Sequence, residues 1–132
     1  MSVVNRLVVF GRGDSAKADE AGDWTLNQHY FDPARIDFHG KLNTTEVWEL
    51  YNPTTVAHTL HVHLAQFQVL DGPTGSPPPP EETGWKDTIL VRSQGRIRII
   101  LRWESFTGVY VFHCHMIGHE DNAMMLQAQI DE

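Results

Sequence analysis

Six of the chain's eight histidines and its only cysteine fall in two short segments, His58-x-x-His61-x-His63 and His113-Cys114-His115-x-x-x-His119, with Met124 a few residues beyond. Imidazole, thiolate and thioether are donors that late transition metals take from proteins, so the first chemistry these residues suggest is metal ligation. A single histidine is usually a surface residue or a satisfied member of a core. Seven ligand-type side chains crowded into two segments are hard to explain that way.

If both segments are strands, their side chains alternate between faces with a period of two. His61 and His63 then share one face of the first strand, with His58 on the other; His113 and His115 share a face of the second, with Cys114 opposite. Pairing the strands makes an all-imidazole set of His61, His63, His113 and His115, and a mixed set of Cys114, His58 and His119. With Met124 nearby, the mixed set matches the trigonal His₂Cys site with a weak axial methionine that characterises blue copper. Zinc is the main rival, but structural zinc favours several cysteines in short C-x-x-C pairs, and catalytic zinc gains little from Met124. Met125 is the alternative axial ligand, although its place in a final strand suits a core role. The all-imidazole set suits copper or another late transition metal, and its two His-x-His pairs look like half of a larger cluster. A cupin also carries His-x-His, but it wants a glutamate a few residues later, where this chain reads Leu64-Ala65-Gln66-Phe67-Gln68.

Short apolar, β-branched runs supply the elements that must hold these ligands: Arg6 to Phe10, Glu46 to Tyr51, Thr59 to Leu70, Thr88 to Val91, Arg96 to Trp103, Val109 to Cys114 and Met124 to Ile130. Turn signals separate them, among them Asn52-Pro53, Asp71-Gly72-Pro73, Gly84 and Gly95. Strands at this spacing predict a β-sandwich. In Arg96-Ile97-Arg98-Ile99-Ile100-Leu101-Arg102 the alternation puts Ile97, Ile99 and Leu101 on one face and the arginines on the other, the pattern of a strand with one wet side. No comparable helical stripe exists. Residues 11–23 read as a polar surface loop, and Pro77 to Pro80 as an extended polyproline segment on the surface.

A length of 132 residues fits one domain with its own core. No apolar run approaches the roughly 20 residues of a membrane span, so a membrane protein is not expected. Net charge is −7 and the basic residues are scattered, which argues against nucleic acid as a partner. One cysteine cannot form an internal disulfide, so Cys114 is read through ligation. Met1-Ser2-Val3-Val4-Asn5 has no signal-peptide character, which fits either an intracellular protein or a piece of a longer chain whose signal lies upstream, and the compartment stays open.

The two motifs resemble those of the multicopper oxidases, in particular bacterial laccases of the spore-coat and bilirubin-oxidase type. His58-Thr59-Leu60-His61-Val62-His63-Leu64 is similar to the family's H-P-x-H-x-H segment, with Thr59 in place of the usual proline, and residues 113–124 are similar to its H-C-H-x-x-x-H-x-x-x-x-M signature. Gly84-Trp85-Lys86-Asp87-Thr88 after a proline-rich loop is a further similarity. The resemblance covers nearly the whole chain and implies the family's C-terminal domain, an all-β, cupredoxin-like Greek-key sandwich.

Carried over residue by residue, the resemblance implies type 1 copper at His58, Cys114, His119 and Met124, type 2 copper at His61, and the type 3 pair at His63, His113 and His115. It implies electron flow from a small reducing substrate at type 1 copper to a trinuclear cluster where dioxygen becomes water. Cys114 is bonded through the backbone to both His113 and His115, a path of about 10 Å between sites on opposite strand faces. Glu120 matches a carboxylate that helps deliver protons to oxygen in similar laccases; its other reading is a solvated turn residue. The family completes its cluster with four histidines from an N-terminal cupredoxin domain, and only His29 and His39 remain here, neither in an H-x-H pair. A partner domain, on the same chain or another, is therefore expected. The alternatives are a single-domain blue copper electron carrier, which would leave the all-imidazole set unexplained, and a copper-binding assembly subunit.

Overall fold

The structure is a computed structural model, and it describes residues 3–12, 24–27, 34–63, 65–71, 84–104, 107–114 and 125–132. These form ten strands: β1 Val4–Arg12, β2 Trp24–Leu26, β3 Phe38–Lys41, β4 Thr45–Tyr51, β5 His58–Val62, β6 Phe67–Asp71, β7 Thr88–Val91, β8 Arg96–Arg102, β9 Gly108–Cys114 and β10 Met125–Asp131. They divide into two five-stranded sheets, ordered β2-β1-β4-β8-β6 and β3-β10-β9-β5-β7. Successive strands repeatedly change sheet, the crossing connectivity of a Greek-key sandwich. The pairs β1–β4 and β3–β10 are parallel, and the rest are antiparallel.

The alternation of β8 does what its pattern requires. Ile97, Ile99 and Leu101 are buried and Arg96 and Arg98 are exposed. Burying each such side chain is worth about 1.5–3 kcal/mol relative to leaving it in water. Between the sheets Trp48 packs on Phe112 with ring centroids 4.8 Å apart, Phe38 meets Trp48 edge-on at 5.5 Å, and Trp103 meets Tyr110 at 4.9 Å.

Two expectations need correction, and two strands had no counterpart in the sequence pattern. The run from Thr59 to Leu70 is two strands in opposite sheets: the His63 amide still donates to the Val111 carbonyl, while Phe67 already pairs with Lys86 and β8. Gly11 and Arg12 belong to β1, paired with Thr25 and Trp24, and do not begin a loop. β2 and β3 carry no apolar run and exist because neighbours recruit them, β3 lying along β10 from Ala128 to Asp131. The remainder of the expected loop and Pro77 to Pro80 lie outside the described residues.

A clamp joins the sheets at one edge. Arg6 Nε donates to Glu46 Oε1 at 2.6 Å and its Nη2 to Oε2 at 3.0 Å, while the same Nη2 reaches the His39 carbonyl of the facing sheet at 2.6 Å. Trp48 Nε1 adds a third bond to Glu46, at 2.9 Å. Burial pushes the Glu46 carboxyl up, but the bonds from Arg6 and Trp48 and the guanidinium charge more than offset it, leaving its pKa below the ordinary value. Gly40 lets β3 come this close: a Cβ there would sit 3.0 Å from Glu46 Oε2, Ile130 Cδ1 and Trp103 Nε1.

Candidate metal centre

β5 and β9 pair antiparallel with His61 opposite His113 and Leu60 opposite Cys114. β5 shows the alternation expected of it, with His58, Leu60 and Val62 buried toward the core and Thr59 and His61 turned outward. His63 continues along β9 just past the strand, held by its amide bond to Val111. This register gathers three imidazoles. Ring centroids are 4.8 Å apart for His61 and His63, 4.9 Å for His63 and His113, and 5.4 Å for His61 and His113, and one nitrogen from each lies within 4.8 Å of the others. His63 Nε2 and His113 Nε2 are 2.9 Å apart, so one proton lies between two ring nitrogens, and a metal ion taking both would displace it.

The His61 ring is oriented from behind. Its Nδ1 lies 3.1 Å from the Asp87 carbonyl and 3.0 Å from Thr88 Oγ1, whose own proton goes to Asp87 Oδ1 at 2.9 Å. A carbonyl oxygen only accepts, so Nδ1 carries the proton and, in the neutral ring, the lone pair belongs to Nε2. A ligand histidine fixed through its other nitrogen is the usual arrangement at metal sites. Asp87 and Thr88 were legible only as part of a similar segment; their role depends on β7 lying beside β5. A cavity of about 700 Å³ opens next to the cluster, lined by His61, His63, Trp85, Asp87, Arg102 and Glu104.

His58 lies apart from this cluster, on the core-facing side of β5 and fully buried. Phe10 stacks on it with centroids 5.3 Å apart and planes 2° from parallel, and Nε2 lies 3.2 Å from Thr54 Oγ1. Cys114 ends β9, and Met125 begins β10 opposite His113; for both, the backbone alone is described. His115, His119, Glu120, Met124 and His29 fall outside the described residues. His39 is exposed on β3, away from any pair of the His-x-His kind.

A family model described as multicopper oxidase matches residues 11–132. The chain belongs to the multicopper oxidase family. Among curated multicopper oxidases and laccases, it is similar to a laccase of Haloferax volcanii, 44% identical over 77% of this chain and 18% of that protein. It is also similar to a laccase of Bacillus subtilis, 37% identical over 80% of this chain and 24% of the relative. The crystal structure of a laccase from Pediococcus acidilactici superposes with a TM-score of 0.87 at 31% identity, covering 99% of this chain and 27% of that one. The fold is thus that of cupredoxin-type multicopper oxidases, and the chain spans about a fifth to a quarter of the relatives it matches. Copper is the cofactor of this family, and three imidazoles within 4.8 Å, one already presenting Nε2, are a donor set that suits it.

Proposed function

We propose that this chain is a single cupredoxin domain, residues 1–132, contributing the type 1 copper site and half of the trinuclear cluster of a laccase-like oxidase. His58, Cys114, His119 and Met124 would hold the first copper; His61 the type 2 ion; and His63, His113 and His115 the type 3 pair. When bound, copper supplies the one-electron chemistry that takes electrons from a reducing substrate and delivers them to dioxygen. The observation that carries the reading is the triple of His61, His63 and His113 on one side of a β5–β9 pair whose other side buries His58. Two ligand sets back to back on one strand pair are what a donor site wired to an oxygen site needs.

The chain's own residues have definite tasks in this scheme. The Asp87 carbonyl and Thr88 hydroxyl orient His61, and the 2.9 Å contact preorganises His63 and His113. Cys114 joins the two sets through its backbone bonds to His113 and His115, and Glu120, next to His119, would move protons toward oxygen. An N-terminal cupredoxin domain supplies the remaining four imidazoles and closes the cluster.

Cupric loading of the chain tests the assignment. The wild type should take up copper with an intense blue absorption, and Cys114→Ser should lose that absorption while the imidazole set still binds metal. A blue band that persists in Cys114→Ser would contradict the type 1 assignment.

A further inference from the structure

His58 reaches the end of a hydrogen-bond chain that begins at a fully buried amide. Asn52 Nδ2 donates to three carbonyls, those of Val56 at 2.9 Å, Val91 at 3.0 Å and Arg92 at 3.2 Å, which fixes which side of the amide is nitrogen. Asn52 Oδ1 must then accept, and it does so from the Thr54 amide at 3.0 Å and the Thr54 hydroxyl at 2.6 Å. The Val56 carbonyl at 2.9 Å and His58 Nε2 at 3.2 Å are the other groups that could take that hydroxyl proton. Asn52 Oδ1 carries no proton, so its 2.6 Å contact with the Thr54 oxygen, the shortest of the three, requires the hydroxyl proton between them and leaves none for His58. Nε2, 3.2 Å away, can only donate.

We propose that Thr54, held by Asn52, is a positioning residue for the type 1 site: it fixes His58 as the Nε2–H tautomer and so presents Nδ1 as the copper ligand. The inference rests on the type 1 reading of His58 for its copper consequence, but the tautomer itself follows from the hydrogen-bond chain. Phe10 fixes the plane of the ring by stacking; Thr54 decides which nitrogen carries the proton. The frame around Thr54 is stiff, because its carbonyl also accepts from Ser93 Oγ at 2.7 Å and Asn52 ties the β4–β5 connection to the end of β7. Outer partners of ligand histidines change metal affinity by roughly 10–100-fold when removed. Since Phe10 keeps the ring plane, the lower end applies.

Two readouts on the full 132-residue chain test this. Nitrogen-15 NMR of the metal-free protein at about pH 8, above the ordinary imidazole pKa of about 6.5, should show His58 as a single Nε2–H tautomer. Thr54→Val should give a mixture and about 10-fold weaker cupric binding in competition with a chelator followed by the blue absorption, and Thr54→Ser should restore both. An Nδ1–H tautomer in the wild type overturns the proposal, without any variant having to fold. So does a Thr54→Val protein with unchanged tautomer and unchanged affinity. If the wild type binds copper without blue colour, the type 1 reading falls, and the NMR result still decides the role of Thr54.

Discussion

Replacing Glu46 with Gln removes the charge at the centre of the clamp between the sheets while keeping its shape. The carboxylate side chain is 1% exposed and accepts three bonds, two from an Arg6 side chain that is 18% exposed. Breaking a fully buried pair costs about 3–5 kcal/mol, whereas exposed pairs are worth about 0–1. Because Arg6 can recover some water, the expected loss for Glu46→Gln at neutral pH is about 3 kcal/mol. Its pH dependence follows from the depressed carboxyl pKa. The unfolded chain has an ordinary glutamate, so the stabilisation is complete above the ordinary value of about 4.3 and disappears as pH falls through the lower folded value. Wild type and variant should therefore converge on acidification, with a slope of at most about 1.4 kcal/mol per pH unit from this group. Urea unfolding of the metal-free proteins, followed by tryptophan fluorescence from neutral pH to about pH 3, measures both quantities. A loss under about 1 kcal/mol at neutral pH, or a difference that stays constant down to pH 3, would show that the Glu46 charge does not hold the clamp.

Other outcomes follow at the metal sites. Met124→Leu should keep copper and colour and raise the reduction potential, because a weak axial ligand tunes more than it holds; if Met125→Leu shifts the potential instead, the axial assignment moves one residue. Thr88→Val removes one of the two acceptors behind His61 and leaves the Asp87 carbonyl, so copper affinity of the imidazole set should fall by about 10-fold. Calorimetric titration checks this, and unchanged affinity would show that the carbonyl alone orients the ring.

The histidine faces were legible because strand alternation is local: His58 and His61 had to part company as soon as β5 was a strand, and the register that sets His61 against His113 joined the two motifs. The supports were not legible. Asp87 and Thr88 reach His61 from the entry to β7, 26 and 27 positions away, and Thr54 sat in what read as a turn. The run from Thr59 to Leu70 hid its break because apolar composition does not reveal which sheet a strand joins. β2 and β3 lack any periodic signal, since each owes its conformation to a partner strand and, at Gly40, to the absence of a side chain.

On the proposed ligand sets, this chain carries a complete type 1 site and only half of an oxygen-reducing cluster. His61, His63, His113 and His115 make four imidazoles, and His29 and His39 cannot supply four more. Two copies of the chain would bring the same half-site twice, in the same geometry. The direct measurement is oxygen uptake by the purified, copper-loaded 132-residue chain with a phenolic substrate, alongside the count of copper per chain. Bound copper and blue colour are expected, with no sustained uptake until a complementary domain is added. Sustained reduction of oxygen to water by this chain alone would contradict the half-cluster assignment.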